Sequence, residues 1–353
     1  MRRCWNKSPD ICPGCSNLHR LHTKRIIWSG INENSGQQEA EVIVSANYEY
    51  YFLTLTAPSF GKVHRVDKTS SNPTPCTCDK QQHVSTDTCG STPIDTTHYR
   101  YKEQVLWNFY SNSLWTRTQE NLRRRYKKQI ECAYIREPQK RGTVHYHVIV
   151  RVPKHFDQAK VMKELDQLRT QSLKVGNHVY KWGSQSKVDH VKTDSESVGK
   201  TVAYISKLVG YTTKAIGLVE TIDSPEKQEF TRRLRRASNK IVCEKGGKCE
   251  GKNCSSKTHA NIGFHGPQFG HTKGWSFTGE TYSSLREEMR IHAEMMALAE
   301  GRDLNEPNHR MEAEANNHAR RSWAEMKAII GDEKLHSVDI DYLIDIQADL
   351  DSW

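Results

Sequence analysis

The stretch Gln129–Glu137, QIECAYIRE, followed by PQKRG at 138–142 and then by Thr143–Val152, TVHYHVIVRV, decides the fold. Both flanks alternate apolar and polar residues with a period of two, the pattern of strands, and the short segment between them has the length and the glycine of a hairpin loop. An antiparallel pair is therefore expected at the middle of the chain. Outward from it, Tyr48–Thr56 alternates in the same β-rich way. From Tyr101 onward Val105, Phe109, Leu114, Trp115 and Leu122 recur at helical spacing, and Gln158–Gln171 is an amphipathic helical pattern. Val179–Val191 reads as one or two strands broken at Trp182-Gly183, followed by a helix from Gly199 to about Lys214 and a basic helix around Arg232 to Arg236. Strands and helices mixed in this order predict an α+β core with an antiparallel sheet.

Three regions stand outside that pattern. Residues 1–45 mix Cys, His and basic residues with little periodicity and read as a metal-braced lead-in to a core at 46–284. Residues 62–97 are rich in Ser, Thr, Pro, Asp and Cys and read as a long loop pinned by metal. Residues 285–353 are helix-prone and carry 8 Lys/Arg against 16 Asp/Glu, an acidic helical tail on a chain whose net charge is +10. The rest of the chain is strongly basic, which suits a polyanionic partner, nucleic acid first. No run of about 18 apolar residues predicts a membrane span, and the first residues lack the apolar run of a secretory signal, so a cytoplasmic protein with no membrane partner is expected. Ten cysteines in such a chain argue for zinc rather than disulfides.

The strand geometry of His145-Tyr146-His147 points both imidazoles to one face and the phenol to the other. Two imidazoles make half of a divalent-metal site, and Glu137, across the hairpin, is the nearest carboxylate to complete it, with Glu131 and His190 as fallbacks. Tyr204 and Lys207 are three apart on an expected helix, and Tyr211 and Lys214 repeat the spacing. A phenol with a pKa near about 10 is a weak nucleophile at neutral pH, so an adjacent ammonium or a metal-polarised phosphate is what it would need. The seven residues from Tyr204 to Tyr211 return to nearly the same helix face.

Phe52 to Gly61 (FLTLTAPSFG), then Glu137-x-Gln139-x-Arg141-Gly142-x-x-His145-x-His147, then Tyr204-x-x-Lys207 resemble, in order, the three motifs of HUH endonucleases. More closely they resemble RepSA-type replication initiators of actinobacterial plasmids, with Val105–Asn108, Lys181-Trp182-Gly183 and Ile262–Gly266 as further points of likeness. The resemblance implies an RRM/ferredoxin-like HUH core that holds Mn²⁺ or Mg²⁺ on His145, His147 and Glu137. It also implies attack by Tyr204 on single-stranded or extruded plasmid origin DNA, with a 5′-phosphotyrosine and a free 3′-OH as products. Lys207 would support Tyr204, and Tyr211 with Lys214 would form a second pair, although Leu208-Val209-Gly210 separates them where related initiators run without a gap. Host helicase and polymerase are the partners implied. Alternatives are a conjugative relaxase or an HUH transposase, and, from another class, a non-catalytic zinc-braced DNA-binding regulator.

Cys12-Pro13-Gly14-Cys15 has the spacing that lets two thiolates share one zinc, with Cys76 and Cys78 as the expected partners and Cys4, His19 and Cys89 as further candidates. Cys243, Cys249, Cys254 and His259 form a second candidate zinc set. Cys132, alone in a strand, reads as a small buried hydrophobe. Arg123, Arg124, Arg125, Lys127 and Lys128 at one helix end, and Arg232, Arg233, Arg235 and Arg236 on another, are candidate phosphate contacts.

Overall fold

The structure, a computed structural model, describes residues 12–33, 47–65, 76–78, 83, 89–139, 141–191, 224–241, 260–299 and 301. Its elements are α1 (Pro13–Trp28), β1 (Tyr48–Leu55), α2 (Tyr101–Arg125), β2 (Glu131–Pro138), β3 (Val144–Pro153) and α3 (Gln158–Leu168), then β4 (Ser172–Val175), β5 (His178–Lys181), β6 (Lys187–Val191), α4 (Pro225–Asn239), β7 (Phe269–His271) and α5 (Tyr282–Ala299). Five strands form one sheet in the order β6-β1-β3-β2-β7, every pair antiparallel, while β4 and β5 form a separate hairpin. The run β1-α2-β2-β3-α3-β6 thus places its strands in a split β-α-β order.

Both faces of the sheet are covered. On one, Tyr51, Leu53, Leu55, Tyr146, Val148, Val150 and Val152 pack with Val105, Leu114, Trp115 and Leu122 of α2, Val161 and Leu165 of α3, and Phe230 and Leu234 of α4. On the other, Tyr50, Phe52, Ala133, Ile135 and Ile149 pack with Ile26 and Ile27 of α1, Trp275, and Leu285 of α5. Fully burying a Val, Leu, Ile or Phe is worth roughly 1.5–3 kcal/mol. The register follows from what each face accepts: a one-residue slip of β3 would push His145, His147 and Arg151 under α2 and expel its valines.

The strand and helix expectations from residues 48 to 191 and for the basic helix hold, except that the helix after β3 ends at Leu168 and the strand β4 that follows it was not expected. The lead-in differs, because Pro13–Trp28 is helical. Its inward positions include Ser16, His22 and Thr23, all buried, so its apolar periodicity is weak although Pro13 in the first turn is a helix-start signal. The beginning of the acidic region also belongs to the body: Leu285 is in the second core, Thr23 and Tyr282 share a hydrogen bond, and Arg25 pairs with Glu280 at 2.8 Å and Glu288 at 3.1 Å. The strand β7 was not expected, being three residues long with a glycine at its centre. Cys132 is fully buried, as expected. Among the described residues, no helix is long and apolar enough to cross a membrane.

Candidate active site

In the β2–β3 ladder Glu137 lies directly opposite His145, and Ile135 opposite His147. Cross-strand partners share a face, so Glu137, His145 and His147 converge on the α1 side of the sheet. One ligand atom from each lies within 4.8 Å of the others, and His147 Nε2 is 2.9 Å from Glu137 Oε2. Two imidazoles and one carboxylate are a donor set for a divalent ion, so the residues fit the expected metal. Burial first, then the neighbouring His147 and Arg141, push the proton affinity of His145 down to a pKa of about 3. It is therefore a neutral imidazole at pH 7, the form that ligates.

The fallback ligands are engaged elsewhere. Glu131, at the far end of β2, bonds Arg123 at 3.0 Å, and His190 bonds Glu49 at 2.9 Å beside Tyr51, on the other face of the sheet. Around the trio, the Phe52 ring stacks on His147 with centroids 5.9 Å apart. Thr54 stands opposite both His147 and Lys187, which puts the Lys187–Asp189 ion pair of β6 on the same face.

The hairpin loop is held from behind by polar residues of α2. Gln104 donates to Arg141 O at 2.7 Å, and Asn108 donates to Gly142 O at 2.7 Å and to Ile262 O at 3.2 Å. Gly263, at φ +86°, lies so close to α2 that a Cβ there would meet Val105 O at 2.2 Å. Gly183 donates to Thr56 O at 2.7 Å, and a Cβ on it would stand 2.2 Å from Ala57 O. Arg136 is buried under the site, stacked over Phe264 with its guanidinium donating to His265 O. Three sequence landmarks outside the ligands therefore brace the hairpin and the end of β1.

Tyr204, Lys207, Tyr211 and Lys214 lie outside the described residues, as do Cys4, Cys243, Cys249, Cys254 and His259. The expected zinc set comes together differently. Cys76 and Cys78 meet His64 and His83, whereas Cys12 immediately precedes α1 and Cys15 lies in its first turn, and neither belongs to this group. Neither histidine had been singled out, because the gap from His64 to Cys76 is longer than a common finger spacing. Of the basic residues, Arg124, Arg125, Lys127 and Lys128 are exposed, while Arg123 is tied to Ile130 O and Glu131. Arg232 and Arg233 both bond Glu229, Arg233 also donates to Thr96 O, and Arg235 and Arg236 are exposed.

Fold and site define an α+β protein with an antiparallel sheet that carries a Glu-His-His trio able to hold a metal ion on one face. A family model described as replication initiator protein, pSAM2 (RepSA), matches residues 1–333, and the chain belongs to this replication initiator family. It is similar to a replication initiator protein of Streptomyces ambofaciens, 26% identical over 278 residues, which cover 66% of this chain and 59% of that relative. No solved structure matches.

Proposed function

We propose that this chain initiates plasmid rolling-circle replication by nicking one strand of its origin, on an HUH nuclease core. The observation that carries the reading is the Glu137–His145–His147 trio, convergent within 4.8 Å, in a chain of a replication initiator family. A divalent ion, Mn²⁺ or Mg²⁺, held by these three side chains would polarise the scissile phosphate and offset the charge that develops on it. The phenolic oxygen of Tyr204 then bonds to phosphorus as the P–O3′ bond breaks. The 5′ end stays on the tyrosine, and the 3′ oxygen takes a proton to become the primer that a host polymerase extends. Lys207 stabilises the phenolate, and Tyr211 with Lys214 supplies a second tyrosine–lysine pair. Burial above all, with the neighbouring His147 and the half-buried Arg141 adding to it, keeps the His145 ring neutral and so free to ligate. The substrate is single-stranded or extruded origin DNA, because the nucleophile needs an exposed phosphate.

The test incubates the protein and Mn²⁺ with single-stranded oligonucleotides tiled across the origin, and maps denaturant-stable adducts by mass spectrometry. An adduct on Tyr204, lost with EDTA and in His145→Ala, is expected. Nicking by Tyr204→Phe would overturn the nucleophile assignment. Specific binding without any adduct would favour a DNA-binding regulator.

A further inference from the structure

Beyond β1 the chain folds back on itself, and among the described residues it does so without a strand pair of its own. Val63 and Pro93 form an isolated bridge, His64 N donates to Thr92 O at 2.9 Å, Ser91 N to His64 O at 3.0 Å and Ile94 N to Lys62 O at 3.0 Å. At the end of this short zipper four donors converge: His64, Cys76, Cys78 and His83, with one ligand atom of each within 4.8 Å of the others. His64 Nδ1 is 3.2 Å from His83 Nε2, Cys78 Sγ is 3.1 Å from His83 Nε2, and Cys76 Sγ is 3.8 Å from His64 Nδ1.

We propose that His64, Cys76, Cys78 and His83 hold a structural Zn²⁺ that closes the 62–97 insertion. Zinc bonds of about 2.0–2.1 Å to nitrogen and about 2.3 Å to sulfur, set in a tetrahedron, require ligand edges of roughly 3.3 Å between nitrogens and roughly 3.5 Å from nitrogen to sulfur. The observed nitrogen–nitrogen separation of 3.2 Å is close to the first edge, and the nitrogen–sulfur separations of 3.1 and 3.8 Å lie on either side of the second. Four protein ligands leave no open position, which is the mark of a structural rather than a catalytic zinc. Two thiols with two imidazoles are a softer set than Glu137, His145 and His147, so the two sites select different metals. Zinc binding takes the cysteines as thiolates and releases their two protons.

Two further features agree. Cys89 Sγ lies 3.4 Å from His83 Nδ1, an outer partner that orients the ring so that Nε2 faces the metal. Cys76 and His83 are buried, yet the insertion has no apolar periodicity from which to build a core of its own, and a metal supplies the missing cohesion. The closed loop also has work to do beyond itself. Thr96 O accepts from Arg233 of α4 and Tyr101 of α2, so the described end of the insertion is tied to both helices, and Arg100 N donates to Phe60 O at its base. None of this depends on the nicking reaction.

The experiment measures zinc per chain by mass spectrometry in the purified full-length protein and in a Cys76→Ser/Cys78→Ser variant, with Cys132→Ser as control. The double variant should lose one equivalent of zinc and the control none. Cobalt replacement supplies a second readout that does not require the double variant to fold. The Co²⁺ protein should show thiolate-to-cobalt absorption, and His83→Cys should keep the metal and strengthen that absorption. Wild-type protein without firmly bound zinc, an unchanged zinc content in the double variant, or a cobalt spectrum unaltered by His83→Cys would each overturn the proposal.

Discussion

Cys132 and His145 sit in neighbouring strands, and their surroundings set opposite chemistry. Cys132 has no exposed surface, and burial first, with Glu131 adding to it, pushes its thiol up to a pKa of about 12. At pH 8 the thiol would be almost entirely un-ionised. Cys132 should therefore resist iodoacetamide at pH 8 in the native protein and react once urea unfolds it, as peptide mass spectrometry would show; rapid native labelling would mean that the β2–β3 ladder opens readily. The convergence of the two histidines was legible because period-two geometry alone puts alternate side chains on one face. Glu137 was legible only as a candidate, since its place depends on the hairpin register.

At the scale of elements, α2 is the member that holds the hairpin loop. Its amphipathic pattern announced a helix, but Gln104, Asn108 and Ser111 are buried along the same face, where polar residues blur an apolar stripe. Asn108 ties the hairpin loop to the segment before β7 by bonding both Gly142 O and Ile262 O. Asn108→Ala leaves those two carbonyls without this donor, and unfolding in urea should show a loss of roughly 2–4 kcal/mol. Mn²⁺ affinity, read by calorimetry, should fall as well, because Glu137 and His145 flank the loop that Asn108 holds. Gly263→Ala should destabilise by at least about 2 kcal/mol, as a left-handed backbone and contact with Val105 O coincide there. A thermal or urea midpoint equal to wild type would remove this account of the bracing.

For the molecule as a whole, charge is the property that matters to a nucleic acid. Arg124, Lys127 and Lys128 are exposed and leave the C-terminal end of α2, whereas Arg123 is committed to Glu131. If the three meet phosphates of a single strand, replacing them by Ala should lower the slope of log affinity against log salt by about 2, from roughly 0.7 per contact. An unchanged slope would make them a solvated helix end. Residues 302–353 carry 6 Lys/Arg and 12 Asp/Glu. A chain ending at 301 keeps Leu285 in the core, and its affinity for non-specific DNA at low salt should rise if the acidic residues compete for the basic surface. Equal affinities would dismiss that competition.

The sequence by itself determined the strand pair, the paired histidines, the α+β class and the basic surplus, because each is written in local periodicity or in composition. Only the tertiary structure decided which carboxylate joins His145 and His147, since that rests on how β2 and β3 pair. It alone brought His64 and His83 to Cys76 and Cys78, a grouping made by chain reversal over distances that no local pattern records. It also made α1 and the start of α5 part of the body: their inward faces are partly polar, and their burial depends on each other and on the sheet rather than on any stripe of their own.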